Sequence, residues 1–223
     1  MQYTTLGKRT GLKVSVLGFG AMRLPMKGQE VDRDKSTPMI HRAFELGVNY
    51  IDSAVFYCNG DSQTAVGEAL KGWRDKVVVS TKNHSYGRKD YDAWRRNFED
   101  SLRKLDVEYI DLYCLHGLGW DRFRENVDGK GGSYEWMAKA RDEGLIRHIC
   151  FSFHDKPEAL EKLARTGMFD VVTCQYNLLD RANEKAMKVA AQQGMGVVVM
   201  GPVGGGRLGA PSNQLQDMIP GGA

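Results

Sequence analysis

Four stretches of this 223-residue chain repeat one phrase: ELGVNYID (45–52), EGLIRHICFS (143–152), TGMFDVVTCQ (166–175) and QQGMGVVVM (192–200). In each, the end of an amphipathic segment meets a glycine and then a short β-branched run. Gly47 precedes 48–52, Gly144 precedes 146–151, Gly167 precedes 171–175, and Gly194 precedes 197–200. A glycine just past a helix takes the left-handed conformation without a Cβ penalty and turns the chain back toward a sheet. Two more runs, 77–80 in KVVVST and 109–114 in YIDLYCLH, fit without the glycine. Between them, Trp94, Phe98, Leu102 and Leu105 share one helical face, and Asp155 with Pro157 marks a helix start ahead of Leu160 and Leu163. Such alternation predicts parallel strands joined by helical crossovers.

Strand starts near residues 16, 49, 77, 109, 146, 171 and 196 lie about 30 residues apart, the pace of a (β/α)8 TIM barrel of about 250 residues. A doubly wound sheet would usually carry a GxGxxG turn after its first strand, whereas this first strand ends LGFGAMRL (17–24). The expected fold class is therefore α/β, a TIM barrel forming a single domain over residues 1–223. Only 23 residues follow Met200, too few for another helix, an eighth strand and a final helix. The expectation is a C-terminally incomplete barrel whose last βα unit is missing, with two strand edges left open.

Composition narrows the function. Lysine and arginine (31) nearly balance aspartate and glutamate (28), so neither nucleic acid nor an acidic membrane surface is expected as a partner. No run approaches the roughly 18 apolar residues of a membrane helix, and MQYTTLGKRTGL at the start has no apolar signal core. Cys58, Cys114, Cys150 and Cys174 form no C-x-x-C pattern, which predicts no metal site and a reducing, cytoplasmic home.

In a barrel of this class, chemistry is expected at the C-terminal ends of the strands. Those ends carry Asp52 with Tyr57 five residues on, Thr81-Lys82-Asn83, Leu115-His116, Ser152, Gln175 and Gly201-Pro202-Val203. Lys82, held charged by Asp52, is expected to lower the pKa of Tyr57 toward working pH, making the tyrosine a general acid for a carbonyl oxygen. His116 would add a second hydrogen bond to that oxygen. None of these groups donates a hydride, so a cofactor must carry it.

VLGFGAMRLP, NYIDSAVFY, VVVSTKN, DLYCLH, TCQYN and PVGGGRL resemble the aldo/keto reductases, in the same order along the chain. The resemblance runs from about Leu6 to Gly209. It looks closest to bacterial oxidoreductases of that superfamily whose longer members carry a C-terminal ferredoxin-like iron–sulfur segment. Asp52, Tyr57, Lys82 and His116 match the family's catalytic tetrad. The resemblance also implies an N-terminal β-hairpin, NADPH across the mouth (NADH not excluded) and a small carbonyl substrate, an aldehyde or a ketone. By the same resemblance Gly20, Ala21 and Met22 line the nicotinamide end, with Asp52 near its ribose. Ser152 and Gln175 bind the carboxamide, and the 201–207 turn, with Gly201, Pro202, Val203, Gly205 and Arg207, takes the pyrophosphate. Consecutive glycines there let backbone N–H groups approach phosphate oxygens. Met200 stands where many members carry a stacking aromatic residue, and Phe153 where many carry asparagine. The family's contacts to the adenosine 2′-phosphate follow an eighth strand. The competing expectation is a non-catalytic nucleotide-binding sensor or regulatory barrel, or an incomplete chain that depends on a partner. Oligomeric state has no signature in the sequence.

Overall fold

A computed structural model describes residues 1–209 of the chain. Strands β1 (Tyr3–Thr5) and β2 (Lys13–Ser15) pair antiparallel around the short helix α1 (Gly7–Thr10), forming the N-terminal hairpin. The main sheet follows: β3 (Phe19–Gly20), then β6 (Tyr50–Asp52), β7 (Val78–Asn83), β8 (Ile110–Leu115), β9 (Ile146–Phe153), β10 (Val171–Gln175) and β11 (Gly196–Met200). These seven strands lie side by side in chain order and all pair parallel, with Asp52 opposite Ser80, Lys82 opposite Cys114, and Cys174 opposite Val199. A small hairpin, β4 (Met26–Lys27) and β5 (Glu30–Val31), leaves the sheet near its first strand.

Helices α2 (Arg33–Glu45), α3 (Ser62–Leu70), α4 (Tyr91–Leu105), α6 (Ser133–Asp142), α7 (Pro157–Arg165) and α8 (Glu184–Gln192) lie between the strands in sequence, with the single turn α5 (Trp120–Arg122) ahead of α6. Gly47, Gly144, Gly167 and Gly194, the glycines of the repeated phrase, all sit at positive φ between 77° and 93°. Each lets the chain turn back at a helix end. The helix over 91–105 buries Trp94, Phe98 and Leu105 as the periodicity requires.

Apolar side chains segregate into two clusters. Tyr50, Leu112, Cys114, Cys150 and Val171 fill the inside of the curled sheet together with Leu6 and Val14 from the hairpin. The larger cluster lies between strands and helices and includes Ile40, Val79, Phe98, Tyr113, Phe151 and Leu160. The hairpin seals the end of the barrel opposite the mouth. Arg9 donates to the carbonyl oxygens of Gly167, Phe169 and Gln193, while the Asn49 side chain bonds Lys13 and Ser15. Gly7 lies so close to β11 that a methyl group there would fall 2.3 Å from the nitrogen of Gly196.

The first sheet strand differs from expectation. The sequence predicts a strand from about residue 16, but only Phe19–Gly20 pairs with β6, and Val16 and Leu17 are 65% and 61% exposed. The apolar run VSVLGF is shared between two sheets: Val14 and Ser15 belong to the hairpin, and Phe19 enters the barrel. Among the described residues β3 and β11 are the outer strands of the sheet. The expected domain runs to residue 223, and its last 14 positions lie outside the described residues. No described helix is long and apolar enough to cross a membrane.

Candidate active site

Polar side chains converge at the C-terminal ends of the strands because a period of two points alternate residues inward. Ser80 and Lys82 project inward from β7, beside Asp52 at the end of β6. The Lys82 ammonium, 2% exposed, donates to Asp52 Oδ2 and to the carbonyl oxygen of Ser53 at 2.9 Å. Ser80 Oγ donates to the other Asp52 oxygen at 2.9 Å. Burial, the largest single influence, pulls the Lys82 pKa down, but Asp52 together with Tyr57 and Cys114 outweighs it and holds the ammonium above its ordinary value. A buried cation this well paired stays charged through the working pH range.

Tyr57 lies on the turn after β6, with the Lys82 nitrogen 4.8 Å from its ring centre. The His116 ring meets it edge-on at 5.8 Å. One expectation is corrected here. Burial raises the Tyr57 pKa and outweighs the downward pull of Lys82, so the phenol holds its proton more firmly than in water. His116 moves the other way. Burial first, then the positive charges of Lys82, His154, His84 and Arg122, push it down to about 4. Its Nδ1 is buried without a partner among the described residues. At neutral pH the ring is therefore uncharged and free to donate from one nitrogen.

The turn bearing Tyr57 is conformationally costly. Cys58 and Asn59 sit at φ 52° and 57°, a left-handed region that L residues avoid. Side-chain bonds hold it there: the Cys58 thiol donates to Ala21 O and Met22 O, and Asn59 Nδ2 donates to Gln29. Asp61, just beyond, accepts from the backbone of Val31 and from Arg33. The β4–β5 hairpin thus braces the segment that aims Tyr57. A cavity of about 490 Å³ opens beside the tyrosine, lined by Met22, Arg23, Leu24, Met26 and residues 56–59.

The residues expected to hold the cofactor occupy the rest of the mouth. Gly20 pairs with Asp52, and a methyl group on it would meet nothing within 4 Å. Ala21 is buried and Met22 exposed. Ser152 Oγ accepts from the Gly117 backbone at 2.9 Å and keeps its own proton to donate. Gln175 ends β10 with its amide against Gly201, where a methyl group would fall 2.6 Å from Gln175 Nε2. Gly201, Gly204, Gly205 and Gly206 all take positive φ in the turn after β11, and Pro202, Val203 and Arg207 are exposed on it. An open-sided run of left-handed glycines beside a hydroxyl and an amide fits a dinucleotide with its phosphates on the turn.

Some residues were not legible in the sequence. Phe56, 51% exposed, stacks on His116 at 4.7 Å and 12°, and meets His84 edge-on at 5.5 Å. Tyr86 donates its hydroxyl proton to the carbonyl oxygens of His116 and Gly117. A lone aromatic residue in a loop has no periodicity to mark it; only its closeness in sequence to Tyr57 could have drawn attention to Phe56. Asn83, by contrast, spends its amide on Trp94 O and the Tyr113 hydroxyl and serves the scaffold. The long 117–132 segment is tied down: Arg88 donates to the carbonyl oxygens of Glu125, Asp128 and Lys130.

Known proteins share both sequence and architecture with this chain. An uncharacterized oxidoreductase of Bacillus subtilis is 27% identical over 88% of the chain, which spans 63% of that relative's length. The holo form of an aldo-keto reductase from Bacillus halodurans superposes with a TM-score of 0.81 at 31% identity, covering 96% of this chain and 71% of that one. An aldo-keto reductase from Klebsiella pneumoniae in complex with NADPH gives 0.79 at 26% identity, covering 99% and 75%. The sequence profile of the aldo/keto reductase family matches residues 16–221. The parallel sheet, the polar cluster at its mouth and this match over most of the chain lead to one conclusion: the chain belongs to the aldo/keto reductase family.

Proposed function

We propose that this chain carries the active site of an NADPH-dependent oxidoreductase that reduces a small aldehyde or ketone to the alcohol, with Tyr57 as general acid. The carrying observation is the buried Lys82–Asp52 pair beneath the Tyr57 ring, with His116 at the ring's edge. NADPH, when bound, supplies the hydride that adds to the carbonyl carbon. The chain's own residues do the rest. Gly20, Ala21, Met22, Ser152, Gln175 and the 201–207 turn hold the dinucleotide. Neutral His116 donates to the carbonyl oxygen and orients it. Tyr57, protonated at neutral pH, gives its proton to the oxygen as charge develops there. The phenolate left behind is stabilised by the Lys82 ammonium, which Asp52 keeps charged, and is reprotonated from solvent.

Burial above and a lysine beside the phenol divide the work: one keeps the proton in place before reaction, the other eases its departure. Replacing Tyr57 by phenylalanine removes the proton without disturbing the ring contacts. Stopped-flow turnover with a small aldehyde should fall by about 10²- to 10⁴-fold, while NADPH affinity by calorimetry stays at the wild-type value. Wild-type turnover in that variant would refute the role of Tyr57. Parallel titration with NADH sets the cofactor preference.

A further inference from the structure

We propose that Ser80 is a positioning residue for the reaction: its hydroxyl fixes the Asp52 carboxylate, and through it holds the Lys82 ammonium in place beside the Tyr57 ring. The proposal rests on the reductase reading above. Strand β7 points Ser80 and Lys82 to the same side, two residues apart. Each takes one oxygen of Asp52: Ser80 Oγ donates to Oδ1 at 2.9 Å, and the Lys82 ammonium donates to Oδ2. Among the described residues Oδ1 has no other donor. The direction of the bonds follows from counting protons. A carboxylate only accepts, so the single Ser80 proton is spent on Asp52. The Cys114 thiol, 4.0 Å away on β8, is left to donate toward the Ser80 oxygen. Tyr50, two positions before Asp52 on β6, keeps its hydroxyl proton because burial pushes its pKa up, and that hydroxyl is buried without a partner. The carboxylate is therefore gripped from one strand, by Ser80 on one oxygen and Lys82 on the other.

Burial alone would drive Lys82 toward its neutral form, and the carboxylate reverses this only while it faces the ammonium. Asp52 is 18% exposed at the end of β6. An oxygen stripped of its donor gains by turning toward the water of the mouth, away from Lys82. Lys82 would then lose its proton at lower pH, and the phenolate its stabilisation. The other ionisable groups facing the pair are Tyr57, Cys114 and His116, with His154 just beyond β9. Both histidines are pushed below their ordinary values, so neither carries charge in the alkaline range where Lys82 titrates.

The test compares wild type with Ser80→Ala, Ser80→Cys and Ser80→Thr. Its control is Thr173→Val, which removes another inward hydroxyl of the barrel, on β10, that has no partner among the described residues. With NADPH and a small aldehyde, Ser80→Ala should lower kcat by about ten- to a hundredfold. KM and NADPH affinity should stay at their wild-type values, because the contact serves the transition state. The alkaline limb of kcat should move down by about one pH unit. Ser80→Thr keeps the donor and should restore most of the rate, and Ser80→Cys, a weaker donor, should fall between. Thr173→Val should match wild type. The Lys82 Nζ resonance of a chain carrying nitrogen-labelled lysine, assigned through Lys82→Met, reads the same shift without turnover. Wild-type kcat together with a wild-type Lys82 titration in Ser80→Ala overturns the proposal. So does a slow Ser80→Ala whose Lys82 titration is unmoved and whose rate Ser80→Thr does not restore, since lost packing alone would do that. A wild-type chain that reduces no carbonyl, while the Lys82 titration still shifts in Ser80→Ala, overturns the reductase reading and leaves the hold of Ser80 on Asp52 standing.

Discussion

His116 shows how far a single residue's chemistry depends on where it is buried. Its pKa falls to about 4 in the folded chain against about 6.5 in the unfolded one. Between those values the unfolded state binds more protons, so stability rises with pH across the window and is lost as pH falls from about 6.5 toward 4. Allowing for solvent screening of the partly exposed ring, the loss should be of the order of 1–2 kcal/mol. Urea unfolding at pH 4.5 and pH 7 checks this, and the difference between the two should shrink in His116→Gln. The sequence placed Asp52, Tyr57, Lys82 and His116 at the mouth because polar residues at predicted strand ends stand out against β-branched runs. It misjudged the titration of Tyr57, since the sequence lists neighbouring charges but says nothing of the burial that outweighs them.

At the scale of elements, one close approach between neighbouring helices runs through a missing side chain. Gly67 in α3 lies against the end of α4, where an added methyl group would fall 2.4 Å from the Lys104 carbonyl oxygen and 2.8 Å from Leu105 backbone atoms. Backbone cannot step aside as a side-chain tip can. Gly67→Ala should therefore destabilise by about 1–3 kcal/mol despite alanine's better helix propensity, as a shift in urea midpoint at unchanged slope. Strands β7 to β11 were legible because each is a compact apolar run between a helix end and a polar residue. The first was not: the stretch from Val14 to Phe19 is apolar but for Ser15, and periodicity cannot show that a bend at exposed Val16 and Leu17 splits it between hairpin and barrel. The turn after Tyr57 was only half legible: the Asn59-Gly60 pair is a turn signal that tolerates the left-handed region, but nothing in the sequence marks Cys58 for the positive φ it adopts.

Across the whole molecule, the barrel is fastened at its closed end and open for chemistry at the other. Arg9 is the principal fastening, donating to three carbonyl oxygens near the starts of β10 and β11, while its own backbone N–H bonds Gly194. Arg9→Ala leaves those acceptors short of a charged donor and should cost about 1.5–3 kcal/mol, read by denaturant unfolding, with the mouth and its NADPH affinity untouched. The repeat of helix, glycine and strand made the barrel readable from sequence, whereas the fastening was not: residues 9 and 193 are far apart in the chain, and no local pattern joins them.

The contact between Gly7 and Gly196 also sets an order of events during synthesis. The two glycines are 189 positions apart, so at ordinary translation rates roughly 10–40 s pass between them. Throughout that interval the hairpin is already made, but the strand it must touch does not yet exist, and Leu6 and Val14 lack the floor that later covers them. The hairpin is therefore among the last parts of the described barrel to find its place. Until β11 is made, the nascent chain carries an open-bottomed sheet with exposed apolar residues, the stage at which a chaperone has most to hold.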